Sequence, residues 1–354
     1  MVLPEVCGEC FCEFKKQNIQ DHREIIACQK YIFHLYGVWK DLLNRTLKMP
    51  MMNNSGYLHS LYAHSLIEFG EPLELPASKG WILKRSVLGT SEFDGMGCYP
   101  IFSCQDWSGL GKDLDWVGSQ LVSLSLVTDP FGRYNHQDLT NCFKNIARPY
   151  KEHFIVDLQR RPEEFVATHH QRNVQKALRM VNVEICTKPI IYLDEWISLY
   201  GNLIERHNIM GMTRFSRDAF AKQLSIPGIV ACRAVVDAKT VGMLLWYVQG
   251  NVGYYHLGAY SPDGYKLNVS FALFWTLLDY FSKQGLQWLS LGAGAGSQGD
   301  ENDGLTRFKR GWSTGVRTAY FCGRIFDHKK YQQIVASKGV TSTKFFPAYR
   351  LGEF

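Results

Sequence analysis

The most informative part of the sequence is residues 229–260, IVACRAVVDAKTVGMLLWYVQGNVGYYHLGAY. It predicts three strands, at 229–236, 240–248 and 252–259, because apolar, β-branched and aromatic residues fill each run. The polar turns at 237–239 and 249–251 separate these runs. Connections this short join antiparallel neighbours, so the segment is predicted to be an antiparallel meander.

An apolar helix is predicted next, at 268–283, with Gly285 just past its end and a strand at 288–291. A helix between two strands is typical of a crossover onto a parallel neighbour. Upstream, the sequence predicts a strand at 153–158, a helix from Pro162 to about residue 180 and a strand at 181–186. Further elements are predicted in the second half, namely helices at 194–207 and after the N-cap Ser216, and a late strand at 318–325. The predicted class is α+β, with one twisted mixed sheet in the second half.

The length of 354 residues exceeds that of an ordinary small domain and predicts two lobes, at 1–150 and 151–354. Within the first range, helical periodicity occurs at 23–47 and strands are predicted at 81–87 and 121–127, with a loop at 95–100. An apolar fraction of 46% with 20% charged residues excludes general disorder.

Charge is distributed unevenly along the chain. Residues 1–150 hold 14 basic against 16 acidic residues, whereas residues 151–354 hold 25 against 17. The basic half suits an anionic ligand such as a nucleotide, a phosphorylated carrier or RNA, although a solvated surface of mixed charge explains it equally well.

Targeting and metal-binding signals are weak. No apolar run approaches the ~18–20 residues that span a bilayer, and the N-terminus lacks a signal-peptide pattern, so we expect a cytoplasmic protein without a transmembrane segment. Cys7, Cys10 and Cys12 form a cluster without a second ligand pair at short spacing. We therefore expect no metal.

Three motifs in order resemble one family. Residues 169–178, HHQRNVQKAL, are similar to the R-N-x-x-K-A-L helix of FemABX-like acyltransferases of the GNAT superfamily. Residues 304–312, GLTRFKRGW, resemble their G-L-x-x-F-K-x-G-F signature, and residues 346–350, FPAYR, resemble their chain ends. The resemblance covers roughly residues 150–354 and is weak before them.

The resemblance implies two GNAT-like lobes, each a twisted mixed β-sheet flanked by helices. It also implies transfer of an acyl or aminoacyl group to an amine. The donor is aminoacyl-tRNA in the peptidoglycan branch of the family and is presumed to be acyl-CoA in other branches. The acceptor in the peptidoglycan branch is a nucleotide-linked or lipid-linked muropeptide.

Acyl transfer to an amine requires removal of a proton, stabilisation of an oxyanion and neutralisation of the leaving group. Strict alternation along 252–260 places His256 and Tyr260 on one polar, aromatic face together with Tyr254 and Gly258. His256 is a candidate general base and Tyr260 a candidate proton donor to the leaving group. The alternatives are a hydrogen-bonded core histidine and an aromatic residue at the rim.

The resemblance makes Lys309 the leading candidate site residue, as a cation that offsets oxyanion charge or holds a donor phosphate. Asp303 is a candidate for steering the acceptor amine, Arg310 for cofactor binding, and Phe308 and Trp312 for substrate binding. The alternative is a surface basic patch in which Lys309 pairs with Asp303.

The loop before the 268–283 helix contains three candidate cofactor-binding residues, Gly264, Lys266 and Asn268. A helix N-terminus with free N–H groups binds phosphate. The loop has a single glycine, however, whereas GNAT members that bind acetyl-CoA carry a glycine-rich loop. Acyl-CoA is the predicted donor, and this departure from the pattern weakens the prediction.

Arg172 and Lys176 are one helical turn apart and are candidate contacts for an anionic substrate, with a solvated helix face as the alternative. The predicted function is N-acyl transfer to an amine of an amino sugar, muropeptide or related envelope or polysaccharide intermediate. The acceptor is a small molecule or linked to a carrier, tRNA is a possible partner, and peripheral membrane contact stays open. The alternatives are aminoacyl-tRNA-dependent transfer and a non-catalytic binding module, for example for RNA.

Overall fold

A mixed β-sheet organises the part of the chain that the computed structural model describes, residues 54–294 and 303–353. Its eleven strands are β1 (Glu71–Leu75), β2 (Gly80–Ser86), β3 (Phe93–Gly97), β4 (Ser123–Val127), β5 (Ile146–Asp157), β6 (Asn182–Cys186), β7 (Ile229–Val236), β8 (Lys239–Gln249), β9 (Val252–Tyr260), β10 (Trp288–Gly292) and β11 (Gly315–Ile325). The strand order is β1-β2-β3-β4-β11-β5-β10-β9-β8-β7-β6. Neighbours are antiparallel except in the pairs β3–β4 and β9–β10, which are parallel.

Helices cover both faces of this sheet. They are α1 (Ser60–His64), α2 (Leu110–Val117), α3 (His136–Cys142), α4 (Pro162–Phe165), α5 (Thr168–Leu178), α6 (Leu193–His207), α7 (Arg217–Gln223), α8 (Pro262–Lys266), α9 (Val269–Lys283), α10 (Gly304–Arg310) and α11 (His328–Ser337). Among the described residues, no helix is both long enough and apolar enough to cross a bilayer.

The predicted meander and crossover are confirmed. Strands β7, β8 and β9 pair antiparallel, and α9 connects β9 to its parallel neighbour β10. The first turn places Asp237 and Ala238 at positive φ, 46° and 62°, which is the backbone of a tight two-residue hairpin. The predicted α+β class with helices around a mixed sheet is also confirmed.

The centre of the sheet contains an exchange of strands between the two halves of the chain. The late strand β11 lies beside β4, whereas the earlier strand β5 lies beside β10. Strands β5 and β11 also pair with each other along most of their length. The parallel pair β3–β4 therefore has β11, from the other half of the sequence, as its antiparallel neighbour, and the parallel pair β9–β10 has β5. The predicted boundary at residue 150 falls within β5, and the division into two lobes stays a prediction.

Some elements differ from their predictions. The single helix predicted from Pro162 to residue 180 is two helices, α4 and α5, because the residues at 166 and 167 have extended backbone. Leu178, the last residue of α5, is 42% exposed, whereas Val174 and Ala177 of the same helix are buried. The loop predicted at 95–100 begins inside strand β3. The helices predicted at 23–47 and the cysteines at 7, 10 and 12 lie outside the described residues.

Two adjacent residues of β8 pack on opposite faces of the sheet and belong to different layers of the core. Tyr247 belongs to a cluster that includes Trp196 and Phe220, from α6 and α7. The ring of Trp246 lies on the other face, 5.9 Å from that of Phe274 in α9. Successive side chains of a strand point to opposite faces, so one strand anchors both helical layers.

A buried ionic network fixes the end of the chain to the early strands. Asp94 in β3 is fully buried and forms ion pairs with Arg85, at 3.2 Å, and Arg350, at 2.9 Å. The hydroxyl of Tyr349 also donates a hydrogen bond to Asp94, at 3.2 Å. The chain-end motif at 346–350 thus has a structural role in this protein.

Candidate functional site

A gap opens between the parallel strands β9 and β10. The two strands are paired only where Val252–Tyr254 lies beside Trp288–Ser290. Beyond this point β9 continues to Tyr260, whereas β10 ends at Gly292. Among the described residues, none therefore pairs with the backbone of β9 on that side from residue 255 onwards, and unpaired peptide groups here can bind a substrate carbonyl.

Lys309 lies at the end of β10. Its side chain extends from α10, is only 6% exposed and donates a 2.6 Å hydrogen bond from Nζ to the carbonyl oxygen of Ala293. The same nitrogen lies 5.6 Å from the ring centre of Tyr255 in β9. A Cβ at residue 292 would lie 3.2 Å from this nitrogen, and Gly292 has a φ of +75°, a conformation that glycine adopts readily.

Burial and neighbouring charge make this ammonium unusual. Burial, followed by repulsion from Lys151, lowers the pKa of Lys309 to about 7, while the carboxylate of Asp303 opposes the change. Burial and repulsion from Lys309 and Lys151 lower the pKa of His153 to about 3. The buried Nδ1 of His153 makes no hydrogen bond with the residues that the structure describes. Lys309, Lys151 and His153 thus form a partly buried group of basic side chains that an anion would stabilise.

Two phenols stand beside Lys309. The hydroxyls of Tyr255 and Tyr260 are hydrogen-bonded to each other, and burial raises the pKa of both well above the usual value. Both therefore stay protonated at neutral pH and retain a proton to donate. Lys309 lies against the ring of Tyr255, so the structure brings Lys309 and Tyr260 to one face of the sheet.

His256 lies on the opposite face, and the predicted grouping of His256 with Tyr260 is wrong. The pairing with β8 shifts between Leu245 and Trp246, which face Leu257 and Tyr255, so His256 is the extra residue of a β-bulge. A bulge adds one residue to a strand and reverses the alternation beyond it. Tyr260 thereby joins the face of Tyr255.

Both ring nitrogens of His256 have partners. Nδ1 lies 3.1 Å from the hydroxyl of Tyr57 and Nε2 lies 3.2 Å from Oε1 of Gln223. Burial lowers its pKa to about 3, so the ring is neutral at physiological pH. This is the hydrogen-bonded core histidine that the sequence leaves as the alternative.

Asp303 caps the helix that contains Lys309. Its Oδ2 accepts hydrogen bonds from the backbone N–H of Thr306, at 2.9 Å, and from the hydroxyl of Thr306, at 3.2 Å. This N-cap fixes the start of α10 and hence the direction of the Lys309 side chain. The geometry supports a positioning role, and acceptor steering stays a prediction.

The loop predicted to bind a cofactor is folded on itself. The backbone N–H of Gly264 donates to the hydroxyl of Ser261, and that of Asn268 donates to the carbonyl of Tyr265. A Cβ at residue 264 would clash with the backbone of Val241, so this helical turn packs tightly on β8. Lys266 is exposed and paired with Asp263. Two of the N–H groups predicted for a pyrophosphate are therefore already used.

The remaining candidates divide into buried and exposed residues. Trp312 is fully buried and stacks on Phe274, which favours a packing role, and substrate contact stays a prediction. Phe308 in α10 is partly buried, and its ring lies against that of Phe274 in α9. Arg172, Lys176 and Arg310 are exposed on α5 and α10 and lie outside the gap.

A second space lies where the other parallel pair diverges. A cavity of about 670 Å³ is lined by the ends of β3 and β4. Aromatic side chains contribute to its wall, and the cations Arg148 and Lys344 are at its surface. Tyr150 in β5 lines this cavity and directly precedes Lys151.

Comparison with known proteins identifies the part of the chain that contains these features. Residues 148–310 match the family model of the acetyltransferase (GNAT) domain. Residues 148–310 are therefore similar to GNAT acetyltransferase domains. This range includes the gap between β9 and β10 and extends one residue beyond Lys309, and it confirms the predicted acyltransferase.

Solved structures extend the similarity of fold beyond the GNAT domain. FemX aligns over 80% of this chain and 96% of its own, with a TM-score of 0.61 and 14% identity. A C-terminal domain attributed to a lysylphosphatidylglycerol synthetase from Agrobacterium fabrum aligns over 80% and 94%, with a TM-score of 0.55 and 14% identity. L-PGS from Bacillus licheniformis aligns over 80% and 97%, with a TM-score of 0.52 and 14% identity. The predicted FemABX-like fold is confirmed. The sequence has no significant match among curated proteins.

The sequence alone missed two basic residues of the GNAT domain, Lys151 and His153. They lie on β5, whose start the sequence places seven residues too late. Lys151 and His153 are two residues apart and so share one face of the strand, but this spacing is a weak signal for a site, since many strands carry basic residues in this way. Only the antiparallel pairing of β5 with β10 brings them to the end of β10. No group of three or more metal-ligating side chains with suitable geometry occurs among residues 54–294 and 303–353.

Proposed function

We propose that the protein transfers an aminoacyl group from an aminoacyl-tRNA to an amine, in the gap between β9 and β10. The observation that carries this proposal is the buried Lys309 ammonium, held by the Ala293 carbonyl beside the unpaired edge of β9. A positive charge in a poorly hydrated gap stabilises a developing oxyanion more strongly than one in water.

The chemistry assigns a role to each neighbouring group. The acceptor nitrogen attacks the carbonyl carbon of the donor ester, a C–N bond forms and the ester C–O bond breaks. Lys309 offsets the charge on the carbonyl oxygen in the tetrahedral intermediate. The Tyr255–Tyr260 pair donates a proton to the leaving oxygen, and the proton lost by the amine restores the phenol through solvent.

The choice of donor rests on the loop at 261–268. Acyl-CoA requires a phosphate site, and the N–H groups of Gly264 and Asn268 already donate within the loop. An aminoacyl-tRNA delivers its ester without a pyrophosphate at this position. The acetyltransferase description of the matching domain favours the second candidate, acyl-CoA, so both donors belong in the test.

For the acceptor we propose an amine on an amino sugar, muropeptide or related envelope intermediate linked to an anionic carrier. The cavity of about 670 Å³ is large enough for a bulky group. Its aromatic wall suits stacking, and Arg148 and Lys344 suit a carrier phosphate.

The deciding experiment offers both donors in parallel. Purified protein is incubated with tRNA charged with radiolabelled amino acids, or with radiolabelled acyl-CoAs, and with a panel of UDP-linked amino sugars and muropeptides. We expect labelled product from charged tRNA with the wild type and not with Lys309→Met. Product from acyl-CoA alone would replace the proposed donor, and the absence of product from every combination would contradict catalysis of this reaction.

A further inference from the structure

One face of α5 is lined by exposed cations. Arg172, Lys176 and Arg179 are all exposed and are spaced by four and three residues. At about 3.6 residues per turn they lie on one side of the helix, in a row roughly 10 Å long. The buried residues Val174 and Ala177 occupy the opposite side.

Two further exposed cations lie on α10, the helix that contains Lys309. The N-terminus of α5 packs against the C-terminus of α10, where the N–H of Ala167 donates a 2.9 Å hydrogen bond to the carbonyl of Gly311. Arg307 and Arg310 are exposed at this junction and line a cavity of about 710 Å³ between the helices. Lys309 points from the same helix into the gap, so α10 has cations on its outer and inner sides.

These five cations share a second property. In the part of the chain that the structure describes, none of them forms an ion pair, although other exposed cations do. Arg217 pairs with Asp194, and Lys283 pairs with Asp279. No acid among the described residues pairs with these five cations, a property they share with other exposed lysines such as Lys112 and Lys144. What sets them apart is their spacing on two helices, which suits an external polyanion.

The arrangement favours nucleic acid over a membrane. A helix that binds in a bilayer interface inserts an apolar face among the lipids and keeps its cations on the polar face. The apolar residues Val174 and Ala177 of α5 are buried in the protein, and the exposed apolar residues are few, namely Leu178 and Met180 at and just beyond the end of α5 and Leu305 on α10. Cations about one turn apart suit the repeating phosphates of a nucleic acid backbone, whereas a single small anion needs cations that converge.

We propose that Arg172, Lys176, Arg179, Arg307 and Arg310 form a docking surface for the sugar–phosphate backbone of an RNA. Resting on the proposed function, this assigns the surface to the stem of the donor tRNA, whose aminoacyl end enters the gap at Lys309. The bound phosphates replace counterions, so affinity falls with salt in proportion to the number of contacts.

Fluorescence anisotropy with the full chain and uncharged, labelled tRNA tests the surface apart from catalysis. For about five phosphate contacts, the logarithm of the association constant is expected to fall with the logarithm of salt concentration with a slope of about −4. The triple variant Arg172→Ala, Lys176→Ala, Arg179→Ala is expected to bind at least about tenfold more weakly at 0.1 M salt, with a slope reduced in magnitude by about 2. The control variant Arg217→Ala, Lys283→Ala, Lys330→Ala removes the same charge from paired, exposed sites and is expected to bind like the wild type.

The outcomes separate the surface from the reaction. If charged tRNA serves as donor, the α5 variant is expected to raise KM for it with little change in kcat. Wild-type affinity and slope in the α5 variant would overturn the docking surface and leave the proposed function intact. Transfer from acyl-CoA together with an absence of tRNA binding would overturn both. Salt-dependent binding to phosphatidylglycerol vesicles but not to tRNA, lost in the α5 variant, would identify a membrane surface and contradict the RNA proposal.

Discussion

The Nζ atom of Lys309 lies 2.6 Å from the carbonyl oxygen of Ala293, the residue that follows the last residue of β10. This contact joins a helix to the end of a strand and places a cation where the sheet opens. One hydrogen bond does not compensate fully for the loss of water around an ammonium, which explains why the pKa of Lys309 falls to about 7. The site therefore contains a charge that a bound oxyanion would stabilise.

Removal of this charge should reduce the rate. Lys309→Met keeps most of the side-chain volume and is expected to lower kcat by about 10²–10³-fold, the usual effect of losing one group that stabilises an oxyanion. Steady-state kinetics with the donor identified above provide the measurement. Lys330→Met, which removes an exposed cation from α11, is the control and should leave kcat unchanged. A Lys309→Met enzyme with wild-type kcat would exclude the proposed role.

The pH dependence of the rate should report the pKa of Lys309. If the ammonium form is active, kcat/KM falls as the pH rises through about 7. Lys151→Met removes a like charge, so the pKa of Lys309 should increase and the falling limb should move to higher pH, by on the order of one unit. Lys309→Arg should lose this limb, because a guanidinium stays charged. An unchanged profile in Lys151→Met would show that the two charges are not coupled.

Burial of Lys309 should also make stability depend on pH. Its folded-state pKa of about 7 lies below the ordinary value of 10.5, so the unfolded chain binds more protons between these pH values and stability rises with pH across that window. The cost of burying the charge is complete below pH 7. Lys309→Met should therefore raise Tm more at pH 6 than at pH 10, as differential scanning calorimetry can measure. An equal gain at both pH values would contradict the lowered pKa.

His256 should contribute to stability and not to catalysis. His256→Phe removes the hydrogen-bond partner of the Tyr57 hydroxyl and of the Gln223 amide oxygen, at a cost of about 1–3 kcal/mol for each buried group. Urea unfolding should show the loss, while kcat of the folded variant should stay within about twofold of the wild type. A loss of kcat comparable to that of Lys309→Met, in protein shown to be folded, would return His256 to the catalytic site.

The end of the chain should be essential for stability. Asp94→Asn removes the buried carboxylate that Arg85 and Arg350 share, although Glu353 still pairs with Arg350, and breaking a buried pair typically costs about 3–5 kcal/mol. Asp279→Asn breaks an exposed pair with Lys283 and should cost less than about 1 kcal/mol. Equilibrium unfolding of the two variants gives the comparison. Equal, small losses would mean that the Asp94 network adds little net stability.

Local patterns predicted much of the second half of the fold. The strands at 229–260 and the helix α9, which connects β9 to β10, could be predicted from the sequence. Turn residues and apolar periodicity depend only on residues close together in the chain. The family motif around Lys309 likewise directed attention to a residue that the structure places in the gap.

Alternation failed at His256 for a physical reason. A bulge depends on the pairing partner, since Leu245 and Trp246 of β8 face residues of β9 that are two positions apart. Nothing within 252–260 alone marks this extra residue. The same limit explains why Lys151 and His153 were missed, because their position depends on strands far away in the sequence.

The sequence by itself determined the local elements, their order in the second half, and the chemical types of side chain available to an acyltransferase. Only the tertiary structure decided that β5 and β11 exchange places, that Tyr260 and not His256 joins Lys309, and that α5 packs against α10. Sequence patterns reflect interactions between neighbours along the chain. The site instead depends on strand pairing and burial between distant segments, and these fix both the geometry and the charge of Lys309.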